Sequence, residues 1–140
     1  MKVVDANVLI AAAVVDHLHH GIANAWLERA RREGELLGLT TLVALAFVRI
    51  TTHPRLHAAP LVPAQAVGWL RALQGSPTVR WLHPAAEHLD ALERQLAGVM
   101  VGNLVNDAHL AAIAIENGAS VVTFDRDFTR FAGLRVELLA

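Results

Sequence analysis

The sequence predicts an α/β fold in a single domain over residues 1–140, with a mostly parallel central sheet of about four to five strands flanked by helices on both faces. Three observations predict it. Short β-branched runs alternate with longer stretches of helical periodicity. Apolar residues make up 54% of the 140, which supplies a substantial core. No internal repeat, low-complexity stretch or linker divides the chain.

The elements follow in order. Lys2–Val4 is β-branched and reads as a first strand ending at Asp5. Ala6–Val15 is apolar and Ala-rich, suited to a helix packed close to a sheet. The polar break Asp16–His20 leads to a helix over Gly21–Arg32, with Ile22, Ala23, Trp26, Leu27 and Ala30 as its apolar stripe. Leu36–Leu39 is a second strand. Thr40 or Thr41 caps a helix that runs to about Thr52 and stops at Pro54. After a loop bracketed by Pro60 and Pro63 comes a helix over Ala64–Leu73, ended by Gly75-Ser76-Pro77. Val79–Leu82 is a third strand. Ala85–Met100 reads as a helix carrying Leu89, Leu92, Leu96 and Val99. A further helix spans Leu104–Glu116 and closes at Asn117-Gly118. Ala119–Thr123 is the clearest strand, followed by a helical turn near Arg126–Phe131 and a last strand over Leu134–Leu138.

Composition narrows the chemistry. No cysteine is present, which excludes a disulfide scaffold, a thiolate metal site and a cysteine nucleophile. No secretory leader pattern opens the chain, and the longest apolar run, Val8–Val15, is far short of the ~20 residues a spanning helix needs. A cytoplasmic location without membrane attachment is therefore expected. With 12 basic and 13 acidic residues there is no broadly basic coat for nucleic acid. Any nucleic acid has to be held by a local basic rim, a metal, or a groove between two chains.

Four aspartates carry the candidate chemistry: Asp5, Asp107, Asp125 and Asp127. In parallel sheets, ligands bind at the carboxyl ends of strands, and Asp5 and Asp125 both follow strands directly. Gathering like charges in a partly buried crevice raises their pKa values unless a cation neutralises them. An all-oxygen donor set points to Mg²⁺ or Mn²⁺. Such an ion polarises a phosphoryl oxygen and activates water. Three of the acids also have a plainer role, whereas Asp5, between an apolar strand and an apolar helix, is poorly placed for solvent. Asp107 suits the dipole at a helix N-terminus. Asp125 and Asp127 suit a turn.

Three segments resemble a known family. Met1-Lys2-Val3-Val4-Asp5-Ala6-Asn7-Val8-Leu9 is similar to the opening of PIN domains, Asn103–Ala112 to their helix with a metal-binding Asp, and Val121–Phe128 to their closing strand and Asp-x-Asp-Phe motif. The likeness runs in order across nearly the whole chain and is greatest to the VapC toxins, single-domain ribonucleases neutralised by a VapB-type antitoxin. It implies metal-dependent cleavage of an RNA phosphodiester. Asp5, Asp107 and Asp125 would hold Mg²⁺ or Mn²⁺, with Asp127 a further ligand or a base acting through water. Asn7 would orient Asp5 or the metal waters, and Thr123 would act similarly near Asp125. Asn103 would support the site or cap its helix. The resemblance also implies a homodimer and an antitoxin segment lying across the site.

One position departs from the family pattern. Many PIN domains carry a Glu three residues before an Arg in the helix after the second strand. Here Arg49 is present, but the Glu position reads Ala46. A catalytically weak module that binds RNA or an antitoxin is thus an alternative. A haloacid-dehalogenase-like phosphatase is another, although that class needs an acid where this chain has Asn7 and a Lys in the second half, where none stands.

Arg126, Arg49 and Arg55 are the candidates to contact RNA phosphates; a solvated or salt-bridged role is the stronger reading for Arg49 and Arg55, and Arg126 stands between two site aspartates. His17, His19 and His20 cluster, without the second half of a zinc site. His109 points about 200° away from Asp107 around a helix and is expected in packing or at the surface. Trp26, Trp69 and Trp81 are expected in the core or at an interface.

Overall fold

A computed structural model describes residues 1–98, 102 and 104–140. The chain runs β1 (Lys2–Val4), α1 (Ala6–Ala13), α2 (His20–Arg32), β2 (Leu37–Thr40), α3 (Thr41–Thr51), α4 (Pro63–Gln74), β3 (Val79–Leu82), α5 (His88–Leu96), α6 (Leu104–Glu116), β4 (Ser120–Thr123), a 3₁₀ turn (Arg126–Arg130) and β5 (Arg135–Leu138). The five strands form one sheet in the order β3-β2-β1-β4-β5, and every pairing is parallel.

That order explains the helices. The chain steps one way through β2 and β3, then jumps back to β4 on the other side of β1. Right-handed crossovers therefore put α1–α4 on one face and α5–α6 on the other. The packing agrees: α1 lies against α2 and α3, α3 against α4, and α5 against α6. β1, central and covered on both faces, is apolar where it is buried, at Val3 and Val4. No helix among the described residues is long and apolar enough to cross a membrane.

Local chemistry sets the element ends. The Thr40 hydroxyl accepts from the Val43 amide at 3.2 Å and caps α3. Pro63 occupies the first turn of α4, where its missing N–H costs nothing, and Gln65 Oε1 accepts from the Val62 amide at 3.0 Å. Gly38 in β2 lets Leu82 pack closely, since a Cβ there would stand 2.6 Å from Leu82 Cδ1 and force that side chain to shift.

Two expectations about α5 need correction. The helix starts at His88 and stops at Leu96 instead of spanning Ala85–Met100; Ala97 already has extended backbone at ψ 126°, and Gly98 at φ +80° continues the turn. Val99–Val101 lie outside the described residues. Its buried side is His88, Ala91 and Gln95, while Leu89 is 76% exposed, because α5 docks on α6 through the former set. Elsewhere Ile22 and Val67 are exposed at the edges of their helices' apolar stripes.

Candidate functional site

β1 and β4 are neighbours in space, and they are where the strand order reverses. A crevice opens outside the carboxyl ends of strands at such a switch point. Asp5 leaves β1 and Asp125 follows β4 there, separated by the length of the chain and joined by the fold. The Asp5 amide donates to Val122 O at 3.0 Å, which continues the β1–β4 ladder into the site.

Thr123, wholly buried, is the hub. Its hydroxyl donates to Asp5 Oδ2 at 2.7 Å. It accepts from Asn7 Nδ2 at 3.0 Å and from the Asp125 amide at 2.9 Å. Asn7 Oδ1 in turn accepts from the Phe124 amide at 3.2 Å. Asp125 Oδ1 accepts from the Asp127 amide at 2.8 Å, the turn role open to it from sequence. Asp127 pairs with Arg130 at 3.1 Å, a contact that the spacing of three residues could have signalled.

The third segment is α6. Asp107 lies in its first turn, across a cleft of about 350 Å³ lined also by Asp5, Ala46, Arg49, Asn106 and Leu110. Burial raises the Asp107 carboxyl to a pKa of about 6, and the negative charges of Asp5, Asp125 and Asp127 add to the rise. Burial also raises Asp5, opposed by the Thr123 hydroxyl and the Ala6 amide and helped by Asp125. The four acids thus feel one another and form one electrostatic unit.

Their donor chemistry fits a hard divalent cation: oxygen only, with excess negative charge. As they stand, they do not form a closed cage. Among the described residues no three His, Asp or Glu side chains are gathered around a single ion position. Mg²⁺ keeps several of its waters, so such an ion does not require a closed cage of side chains.

Ala46 and Arg49 both face the cleft, so the family's Glu position is a site position, filled here by a methyl group. Arg49, Arg55 and Arg126 are exposed and form no ion pair among the described residues. Only Arg49 lines the cleft. Arg126 opens the turn between Asp125 and Asp127, and Arg55 lies on the α3–α4 loop. Asn103 lies outside the described residues.

The histidines are employed otherwise. His20 Nδ1 bonds Ala11 O at 2.9 Å, and His19 stacks on Phe124. His109 is in packing, as expected: its Nδ1 meets His88 Nε2 at 2.7 Å, and His88 Nδ1 meets Glu116 at 2.7 Å. Trp26 is buried, and its indole donates to Glu137 at 2.9 Å; Trp69 stacks on Phe47.

Comparison with known proteins agrees. The model of the PIN domain family matches residues 2–134. The chain is 41% identical over 136 residues to ribonuclease VapC37 of Mycobacterium tuberculosis, covering 96% of this chain and 94% of that one. It is 39% identical to ribonuclease VapC43 of the same species, covering 96% and 92%. Among solved structures, VapC20 of M. tuberculosis, a sarcin–ricin loop cleaving toxin, superposes with a TM-score of 0.68 at 20% identity, covering 96% and 99%. A chain of VapBC2 from Rickettsia felis, solved bound to a DNA fragment from its promoter, gives 0.71 at 16% identity, covering 99% and 98%. Identities this low speak for the fold alone.

Proposed function

This chain belongs to the PIN domain family, and from that premise we propose that it is a VapC-type ribonuclease, a toxin held in check by a VapB-type antitoxin. The observation that carries the reading is that Asp5 and Asp107, from distant chain segments, line one cleft at the switch point, with Asp125 and Asp127 near enough for their charges to raise the Asp107 carboxyl. The phosphatase alternative falls with the family match. It also lacks its second acid, since Asn7 is an amide tied to Thr123 and Phe124.

Asp5, Asp107 and Asp125 would hold Mg²⁺ or Mn²⁺, with Asp127 supporting through water. The ion would neutralise the gathered charge and activate water for attack on phosphorus. The chain's own groups do the rest. Thr123 fixes the Asp5 carboxylate through its hydroxyl and keeps Asn7 and Asp125 in register with it. Asp107, with its pKa near 6, is ionised at neutral pH. Arg49 at the cleft offers a guanidinium group to a phosphate, and Arg126 and Arg55 are proposed as further phosphate contacts. The RNA substrate and the antitoxin are parts of this reading, supported by the VapC relatives and the VapBC structures, and a homodimer is proposed with them from the family resemblance alone.

Purified protein should cut RNA in the presence of Mg²⁺ and stop in EDTA. Asp5→Asn and Asp107→Asn should each lose cleavage while keeping the fold. Sequencing RNA ends after induced expression would identify the cut. Undiminished cleavage by either variant would refute the site. A second reading, a binding module without cleavage, rests on Ala46 in the cleft. RNA binding equal in wild type and Asp5→Asn, with product from neither, would select it.

A further inference from the structure

Next in the chain to Asp125 is a feature that the acid cluster does not use. His19 immediately precedes α2, where Ser, Thr, Asp or Asn would cap the helix, yet its side chain makes no capping bond. Its ring lies on Phe124 instead, with centroids 4.5 Å apart and planes inclined by 13°. Phe124 is the link between Thr123, which holds Asp5, and Asp125. Phe124 adjoins Asp125 in the chain, which ties the stack to the segment that carries that carboxylate.

The loop that presents His19 is pinned. The His17 amide donates to Val14 O at 3.0 Å, the His19 amide to His17 Nδ1 at 3.1 Å, and the His20 amide to His17 O at 2.9 Å. The His17 ring leans against that of His19, at 5.8 Å between centroids. Both rings of the His19–Phe124 stack remain partly exposed, and Leu18 at 88% and Val15 at 75% leave an apolar rim on the same loop. A local preference is broken to hold a flat ring in place. Such breaks cluster at functional sites.

We propose that the His19–Phe124 stack is a platform for an unpaired RNA base flanking the scissile phosphate, with His19 the base-binding residue. The proposal rests on the ribonuclease reading, which brings a phosphodiester to the adjacent acids. Unpaired bases are recognised by stacking on aromatic and imidazole rings. A ring already ordered loses little entropy on binding. Selectivity for single-stranded or loop RNA would follow, since a base inside a duplex cannot present its face to the ring.

Binding is best read on the cleavage-deficient Asp107→Asn protein. The probe is a single-stranded RNA decamer with 2-aminopurine placed at each position in turn. One position should show fluorescence quenching on binding. Adding His19→Ala or His19→Leu should weaken affinity roughly tenfold and remove that quench, whereas His19→Phe should keep both. Melting temperatures identify any variant that fails to fold, and the Leu–Phe pair matches apolar volume while differing in the ring. Equal affinity and quench for Leu and Phe, or no quench at any position, would overturn the platform. Cleavage by the wild-type protein is judged separately. If it cuts RNA while His19→Leu binds and cuts as well as wild type, the ribonuclease reading stands and the platform falls. If wild type cuts nothing but the quench tracks the ring, the ribonuclease reading falls and the base platform remains.

Discussion

Thr123 shows how much one side chain decides. Its single oxygen donates to Asp5 and accepts from Asn7 and the Asp125 amide, within a wholly buried residue. Thr123→Val keeps the shape and removes the oxygen, leaving those groups short of partners. A loss of roughly 1–3 kcal/mol in urea unfolding is expected, with cleavage down roughly 10–100-fold as the first ligand loses its support. Thr123→Ser should restore most of both. Asp107 gives a prediction of opposite sign. Its carboxyl titrates at about 6 in the folded chain against an ordinary 3.8, so the folded state binds the proton more tightly between those values. Metal-free stability from this group therefore falls as pH rises from 3.8 to about 6, and the full cost is present above that. Asp107→Asn should melt roughly 2–6 °C higher than wild type in EDTA at pH 7, with no difference near pH 3. Equal melting at pH 7 would remove the charge crowding inferred for the site.

At the scale of elements, helix ends and helix contacts matter more than helix interiors. The Thr40 cap starts α3 directly after β2, so Thr40→Ala should cost about 1 kcal/mol in denaturant unfolding. The α5–α6 contact is polar at its centre, where Glu116, His88 and His109 form a chain of bonds. Burial lowers the His109 pKa and His88 lowers it further, against a smaller upward pull from Glu116. A lowered His contributes stability that is complete above its ordinary 6.5 and is lost as pH falls. Amide protection factors in α5 should therefore decrease between pH 7 and pH 5 in wild type and stay level in His109→Gln. A pH-independent α5 in wild type would show that the histidine pair does not hold it.

For the whole molecule, the acids are a charge cost that a bound ion would relieve. Mg²⁺ at 100 times its dissociation constant should stabilise the fold by about 2.7 kcal/mol. Thermal melting with Mg²⁺ against EDTA at matched ionic strength measures it, and Asp5→Asn should abolish the shift. No shift in wild type would count against divalent binding. What the sequence determined by itself was local: β-branched runs, helical stripes, Thr40 and the pair Asn117-Gly118 as punctuation, and three motifs in register with one family. Those signals lie within a few residues of one another, so they survive without a fold. Tertiary structure decided the rest. Docking on α6 selected the buried side of α5. Thr123 became the hub, His88 found His109, and His19 turned from its helix end onto Phe124. Each of these joins residues separated in the chain, and their partners are set by how the elements pack: β1 beside β4 for the Thr123 hub, and α5 against α6 for the histidine pair.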